Sequence, residues 1–355
     1  MTLFEKLEGL RITASSEIPP HEFLFKWNET PCFARGELVA VTGKAKSGKT
    51  YLNSLLMAAA GAIKEGEERL DTKVASTGQR GHSFLGLRRI GEEPLRVLWI
   101  DTEQSEDTTC EILRDRIGAM IGKVPSDEVY HVFNLRQVQW QDRIELVLTA
   151  ISICQPDLVI FDGIRDVVGD INNYEEAQRI IGQLLAVAST YRTCIVCVLH
   201  QNKAVEDKTL RGALGTELQN KSYETYECAK DADTRIFTIK QAATRKYDMP
   251  NKVQFIVSAE GMPIPCSTPE EGNDNGRPAF NPEYVTDGKI DQQRLLQAVL
   301  QDRSMTWTEL RNSLMEKANI CSPRFAETLI TEARDAGLIK TIPCDDGRRR
   351  YTLCA

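Results

Sequence analysis

The eight residues GKAKSGKT, from Gly43 to Thr50, have the types and the spacing of a loop that binds phosphate groups. Two glycines enclose four residues and are followed by a lysine and a threonine, which is the pattern G-x-x-x-x-G-K-[ST]. Glycines allow backbone N–H groups to surround a phosphate, the lysine reaches the outer phosphates, and the hydroxyl ligates Mg²⁺. We therefore expect the loop to bind a nucleoside triphosphate, with Lys49 also catalytic and Thr50 also a metal ligand. The predicted contacts are Gly43, Lys46, Ser47, Gly48, Lys49 and Thr50.

The segments on either side of this loop are those that such chemistry requires. ELVAVTG, before the loop, is typical of a short buried strand, and YLNSLLMAAAGAI, after it, is typical of a helix. The order strand, loop, helix places the positive end of the helix at the phosphate. A glycine- and lysine-rich surface turn that matches the pattern by chance would lack this setting, so nucleotide binding is favoured.

Acidic residues at the ends of two other apolar segments could organise a metal and a water. Asp162 ends PDLVIFD, and we expect it to support Mg²⁺. Glu103 follows Asp101 by two residues in VLWIDTEQSED, at the carboxyl end of a predicted strand, where open α/β sheets bind ligands. Glu103 could polarise the attacking water. The residues alone leave two other interpretations open. Asp101, Glu103 and Glu106 could serve only to cap the next helix and favour its dipole, and Asp166 could be solvated surface.

Predicted strands and helices alternate along the chain, which indicates an α/β fold with a mainly parallel sheet covered by helices on both faces. Predicted helices cover residues 106–121, 142–153 and 175–188. Two later segments are predicted to extend the sheet as antiparallel strands: RIFTIKQAA and KVQFIVSAEG. Residues 64–94 are polar and predicted to be a partly helical insertion.

The domain organisation follows from composition and pattern. Residues 1–35 are predicted to be an N-terminal arm, 36–261 the α/β domain, and 262–288 a proline-rich linker. Residues 289–355 contain three helical patterns and a hairpin with Asp346-Gly347 at its turn, and so resemble a winged-helix domain. Its wing would carry three candidate DNA-binding residues, Arg348, Arg349 and Arg350, although such domains also serve in protein docking.

Composition restricts the possible functions. The net charge is −7, which argues against a protein that coats nucleic acid over its whole surface. The ten cysteines are scattered in apolar segments, which favours buried thiols in a reducing compartment. The pair Cys194 and Cys197 lies within a predicted strand and lacks a second ligand pair for zinc. We find no signal peptide or membrane span and expect a soluble, cytoplasmic protein.

Four motifs, in this order, resemble those of RecA-like ATPases: GKAKSGKT, VLWIDTEQS, LVIFDGIRD and CIVCVLHQNK. The similarity covers roughly residues 18–261 and is strongest to hexameric replicative helicases of plasmids and mobile elements and to the related DnaB group. It implies a RecA-like fold, ATP and Mg²⁺ as cofactors, DNA as a partner, and a homo-oligomer, expected to be a hexameric ring.

The resemblance also implies roles for individual residues. Glu103 would activate water, and His200 would sense the γ-phosphate. The loop QNKAVEDKTLRGALG would face single-stranded DNA in a central channel, with contacts from Lys203, Lys208 and Arg211. Lys240 and Arg245 would act on the ATP of a neighbouring subunit, and Lys246 could replace Arg245, because the family spaces these two basic residues more closely.

Several functions remain open at this point. The first is a DNA-dependent motor, such as a helicase, for replication or mobilisation of a mobile element. The second is a filament-forming recombination or repair ATPase. The third is an ATP-switched regulator that binds DNA through the C-terminal domain, and a small-molecule kinase is a weaker fourth. GTP is disfavoured, because NKAV lacks the aspartate of a guanine-reading N-K-x-D motif.

Overall fold

The computed structural model describes residues 2–62, 84–201, 210–232, 234–258, 260–265, 281–286, 289–301, 303–318, 320, 323–343 and 349–354. In this part of the chain the largest sheet has nine strands: β3 (Leu38–Gly43), β5 (Val97–Asp101), β6 (Tyr130–Asn134), β7 (Leu158–Asp162), β8 (Cys194–His200), β9 (Glu224–Lys230), β10 (Phe237–Thr244), β11 (Val253–Val257) and β12 (Pro263–Pro265). Their order in the sheet is β12-β11-β10-β9-β3-β8-β7-β5-β6.

The sheet is parallel from β6 to β9 and antiparallel from β9 to β12. The parallel register brings the ends of the central strands level, with Gly43 opposite His200 and Asp101 opposite Asp162. The α/β fold with a mainly parallel sheet is therefore confirmed, as are the antiparallel strands β10 and β11. Strand β9, with the sequence ETYECAK, was not predicted.

Helices cover both faces of this sheet, and the alternation of side chains along its strands explains why. In β3, Val39 and Val41 point into one apolar cluster, while Leu38 and Ala40 point into the other. The helices of this part of the chain are α1 (Leu3–Glu8), α2 (Lys49–Gly61), α3 (Glu106–Glu111), α4 (Gly118–Ile121), α5 (Trp140–Cys154), α6 (Tyr174–Tyr191) and α7 (Gly212–Lys221). The predicted helix 106–121 is present, with a π-helical segment at Ile112–Ile117 between α3 and α4.

A second, three-stranded sheet changes the first predicted boundary. It contains β1 (Phe23–Trp27), β2 (Thr30–Ala34) and β4 (Leu87–Arg89), in the order β2-β1-β4. Phe25 and Trp27 are buried in the same cluster as α2. Residues 23–34, placed in the arm by sequence, therefore belong to the core, because a two-residue turn lets this apolar segment fold back on itself. Residues 2–22 are exposed along their whole length, and the hydrogen bonds between Thr13 and Ser16 lie within the segment itself.

The C-terminal part has its own apolar core. It comprises β13 (Val285–Thr286), β14 (Lys289–Ile290), α8 (Gln292–Leu300), β15 (Met305–Thr306), α9 (Trp307–Ala318), α10 (Pro323–Asp335), β16 (Ile339–Pro343) and β17 (Arg349–Leu353). Strands β15, β17 and β16 form an antiparallel sheet in that order. The predicted capping box is present, since Thr306 and Glu309 exchange hydrogen bonds of 2.8 and 3.3 Å. The predicted hairpin turn lies outside the described residues.

Among the residues described, no helix combines the length and the apolar character needed to cross a lipid bilayer.

Candidate active site

The loop between β3 and α2 depends on its two glycines. Gly43 and Gly48 have φ angles of 156° and 101°. A Cβ atom at Gly43 would lie 2.2 Å from the Cys228 carbonyl oxygen, and one at Gly48 would lie 2.7 Å from Phe237 Cδ1. Both the backbone conformation and the neighbouring atoms therefore exclude a side chain at either position.

Lys49 lies inside this loop and is buried. Its ammonium group donates hydrogen bonds to the carbonyls of Gly43, at 3.1 Å, and Lys44, at 2.9 Å. Burial lowers the pKa of Lys49, and the nearby charges, chiefly that of Glu103, oppose this change. The buried Ser47 hydroxyl has no hydrogen-bond partner among the described residues. A buried cation beside an unsatisfied donor fits the phosphate groups of a nucleotide.

His200 connects Lys49 to Glu103. Its Nδ1 atom lies 3.1 Å from Lys49 Nζ, and its Nε2 atom lies 3.1 Å from Glu103 Oε1. A lysine ammonium can only donate, so we assign Nδ1 as an acceptor and Nε2 as the N–H that donates to Glu103. This hydrogen bond lowers the pKa of Glu103, burial opposes the change, and the charge of Lys49 supports it. Glu103 is thus held as a carboxylate at the mouth of the loop.

Asp162 lies at the end of β7, buried beside the first turn of α2. Its Oδ2 atom accepts a hydrogen bond of 3.1 Å from Asn53 Nδ2. Burial, followed by the charges of Glu103 and Asp101, raises the pKa of Asp162 to about 7. Sequence reasoning missed Asn53, although its position three residues after Thr50 places both on one face of α2.

The Thr50 hydroxyl and the Asp162 carboxylate are oxygen donors that suit Mg²⁺. Within the described residues, no group of three or more His, Cys, Asp and Glu side chains could hold a metal by itself. Mg²⁺ usually keeps several waters and takes one or two protein oxygens together with substrate phosphates. Thr50 and Asp162 would therefore hold the ion together with the phosphates of a nucleotide.

Asp101 shapes the loop that carries Glu103. Its Oδ1 atom accepts hydrogen bonds of 3.1 Å from the backbone N–H groups of Glu103 and Gln104. Its Oδ2 atom accepts a 2.7 Å bond from the Thr109 hydroxyl. The next helix is capped by Ser105, so Glu103 is not the helix cap that the sequence left open.

The predicted DNA-facing loop is described only at its two ends. Lys203 and Lys208 lie outside the described residues, and Arg211 is exposed at the start of α7. Gln201 pairs with Leu210 across the base of the loop. Gln201 also donates from its backbone N–H to the Gly43 carbonyl at 3.4 Å. The predicted DNA-facing loop therefore begins in direct contact with residues 43–50, which we call the phosphate loop.

The basic residues predicted to act on a neighbour lie on or after β10, away from Glu103. Lys240 is exposed on β10. Arg245 donates to three carbonyls of its own chain at the end of α7, those of Ser222, Asn220 and Lys221. These hydrogen bonds occupy the Arg245 guanidinium. They favour Lys246, the predicted alternative, as the residue that would act on a neighbouring subunit.

The basic residues of the C-terminal hairpin also differ in how far their side chains are free to contact another molecule. Arg349 is exposed, whereas Arg350 donates a 3.2 Å hydrogen bond to the Ser304 carbonyl. Arg350 therefore helps to hold the small sheet together. Arg348 lies outside the described residues.

A cavity of about 540 Å³ opens beside the phosphate loop. Its walls are the loop residues 44–47, the end of β9 and the turn that follows β9. Four basic residues line it: Lys44, Lys46, Lys230 and Arg235. Lys230 and Arg235 were not predicted, because nothing in the sequence links the end of β9 to the loop.

Comparisons with known proteins place this geometry in context. A family model described as an AAA domain matches residues 14–206. No curated protein matches the chain. The RadB recombinase structure is similar at 16% identity and a TM-score of 0.44, over 65% of this chain and 91% of that one. A KaiC-like protein from Pyrococcus horikoshii OT3 is similar at 11% identity and a TM-score of 0.41, over 66% and 91%. Both structural likenesses are too distant to carry an argument about this chain.

Proposed function

The chain belongs to the AAA domain family, and from this premise we propose that it hydrolyses ATP with Mg²⁺ and couples hydrolysis to DNA as an oligomer. The observation that carries the proposal is the line of side chains from Lys49 through His200 to Glu103, with two spacings of 3.1 Å. It joins a phosphate-binding cation to a carboxylate suited to activate water.

Each residue of the site then has a defined part in the reaction. The loop amides and Lys49 bind the β- and γ-phosphates, and Thr50 and Asp162 would hold Mg²⁺, which would neutralise charge on the phosphates. Glu103 accepts the proton of the water that attacks the γ-phosphorus, and the bond to the β-phosphate oxygen breaks, giving ADP and phosphate. His200 holds Glu103 in place and, through Lys49, lies beside the position of the γ-phosphate.

The contact between the two loops supports the coupling to DNA. Gln201, which begins the segment predicted to face DNA, directly follows His200 and bonds to Gly43. A change at the γ-phosphate can therefore reach this segment through two adjacent residues. Single-stranded DNA would bind there through Lys203, Lys208 and Arg211.

The N-terminal segment supports an oligomer, which we propose to be a ring of six. Residues 2–22 carry large apolar side chains that are 61–87% exposed, namely Leu3, Phe4, Leu7, Leu10, Ile12 and Ile18. Such a concentration of exposed apolar groups is typical of an interaction segment. We propose that these residues form an arm that packs on a neighbouring subunit, that residues 23–261 form the ATPase domain, and that residues 289–355 form a winged-helix-like domain after a linker.

The charge of the C-terminal part bears on the alternative function, an ATP-switched regulator. Helix α10, the third helix of this part, has three acidic and two basic residues. Three of its charged residues form ion pairs, Glu327 with Arg311 of α9 and Arg334 with Asp335 of the same helix. This balance favours docking to a protein over insertion into a DNA groove, and so favours the motor over the regulator. A recombination or repair ATPase would use the same catalytic site.

Steady-state ATP hydrolysis, with and without DNA, tests the proposal. We expect turnover to increase several-fold with single-stranded DNA and less with duplex DNA, and the Lys49→Ala variant to remain inactive under all conditions. Slow turnover that DNA does not change, combined with tight duplex binding, would instead support the regulator. Single-strand stimulation with strand exchange and without unwinding would support the recombination ATPase.

A further inference from the structure

Asp166 lies four residues beyond the end of β7 and has no part in the reaction described above. We propose that Asp166 is a positioning residue, which acts through the Thr102 hydroxyl to hold Glu103 where it can activate water. This inference rests on the proposed ATP hydrolysis. It deepens that proposal by naming a second group that determines the orientation of Glu103.

The contact between Thr102 and Asp166 joins two neighbouring strands of the sheet just beyond their ends. Thr102 is 3% exposed and directly precedes Glu103. Its hydroxyl donates to Asp166 Oδ2 at 2.9 Å, the nearest of three acceptors, and the other two are the backbone oxygens of Asp162 and Gly163, at 3.1 Å. The backbone N–H of Thr102 also donates to the Asp162 carbonyl at 3.1 Å. Thr102 is therefore hydrogen-bonded to the end of β7 and to the loop that follows it.

Gly163 makes room for this contact. It has a φ angle of 100°, and a Cβ atom there would lie 2.1 Å from Thr102 Oγ1 and 3.0 Å from Glu103 Cγ. A side chain at position 163 would displace both residues. The backbone at Gly163 thus packs directly against the aliphatic part of the Glu103 side chain.

Arg143 holds Asp166 from the other side. The Arg143 guanidinium donates to the Asp166 carbonyl at 3.1 Å and lies 3.8 Å from Asp166 Oδ2. It also donates to the carbonyls of Val138 and Arg136, at 3.0 and 2.9 Å. Three carbonyl contacts fix the guanidinium, so Asp166 is attached to a rigid point on α5.

These contacts hold Glu103 from two directions. Asp101 accepts a hydrogen bond from the Glu103 backbone N–H. Thr102, the residue before Glu103, is held by its hydroxyl to Asp166 in the loop that follows β7. A displacement of about 1 Å in a catalytic group can reduce turnover by up to about a hundredfold. Loss of the Thr102–Asp166 hydrogen bond should therefore reduce kcat and leave ATP binding intact, because neither residue contacts the phosphate loop.

Paired substitutions distinguish a positioning role from a structural one. Thr102→Val removes the hydroxyl at nearly constant volume, and Asp166→Ala removes the acceptor. We expect each to lower kcat about tenfold while the KM and Kd for ATP stay within about twofold. Thr102→Ser and Asp166→Asn, which keep a donor and an acceptor, should restore most of the turnover. Asp142→Ala, an exposed carboxylate on the same helix as Arg143, is the matched control and should behave as wild type.

The double variant Thr102→Val, Asp166→Ala is decisive. If the two residues act through one hydrogen bond, its kcat is no lower than that of either single variant. Additive losses of about a hundredfold, or wild-type kcat in Asp166→Ala, would overturn the inference. A wild-type protein that binds ATP without hydrolysing it would refute the proposed function instead. In that case structures of wild type and Thr102→Val decide: a Glu103 to His200 contact kept in the first and lost in the second supports positioning, and an unchanged contact contradicts it.

Discussion

At the scale of single residues, the two carboxyl groups of the proposed site, Glu103 and Asp162, have opposite environments. The hydrogen bond from His200 lowers the pKa of Glu103, whereas burial raises the pKa of Asp162 to about 7. Glu103 is therefore ionised throughout the physiological range, while Asp162 changes its protonation near neutral pH. Because Mg²⁺ binds the ionised carboxylate, the proposed role of Asp162 as a metal ligand would make metal binding dependent on pH.

We predict that Mg²⁺-dependent binding of a non-hydrolysable ATP analogue weakens about tenfold between pH 8 and pH 6, the change expected for a carboxylate with a pKa near 7. Titration calorimetry with and without Mg²⁺ measures this difference. In Asp162→Asn, which cannot ionise, only the pH dependence of the nucleotide itself should remain. Equal pH dependence in wild type and Asp162→Asn would contradict the assignment of Asp162.

At the scale of elements, the central strands were predictable and several of their supports were not. β5, β7 and β8 are apolar runs that end in Asp101, Asp162 and His200, so both their type and their common edge follow from the sequence. The hairpin of β1 and β2 was assigned to an arm because its burial depends on long-range packing. Strand β9 was missed because it contains two glutamates, one of which, Glu224, is buried.

The residues of the candidate site also divide into those that the sequence could predict and those that it could not. Lys49, Glu103 and Asp162 could be identified because each ends or follows a strongly patterned segment. Asn53 and Asp166 could not, since their roles depend on contacts with residues 109 and 64 positions away in the sequence. Hydrogen bonds between distant segments leave no local signal in a single sequence.

Glu224 gives an element-scale prediction about stability. It is 1% exposed, and its Oε2 atom accepts hydrogen bonds from the Phe33 backbone N–H, at 2.9 Å, and the Tyr226 hydroxyl, at 3.1 Å. Burial raises the pKa of Glu224 to about 7. The folded state therefore holds this proton more tightly than the unfolded state, so the stabilisation is complete below about pH 4.5 and is lost as pH rises to about 7.

We expect the free energy of unfolding to fall by up to about 3 kcal/mol over this range from Glu224, with Asp162 adding a loss in the same direction. Urea denaturation at pH 5 and pH 8 measures the change. Glu224→Gln should show a smaller fall than wild type, and the exposed Glu175→Gln should match wild type. An equal fall in Glu224→Gln would contradict the assignment.

At the scale of the whole molecule, the residues of the proposed active site lie along one edge of the large sheet. The N-terminal segment and the C-terminal part lie outside this site and are the segments proposed to contact other molecules. The ends of β3, β8, β7 and β5 bring the phosphate loop, His200, Asp162 and Glu103 together. The exposed apolar residues of the N-terminal segment and the separate C-terminal core lie outside this arrangement. The catalytic claim can therefore be tested independently of how the subunits assemble.

The most direct test of this account is ATP hydrolysis by the Glu103→Gln variant, measured alongside its affinity for ATP. Glutamine keeps the size of the side chain but cannot accept the proton of the attacking water. We predict that turnover falls at least about a hundredfold, while the Kd for ATP stays within about twofold of wild type. Turnover close to that of wild type would contradict the role of Glu103 and, with it, the mechanism proposed for this site.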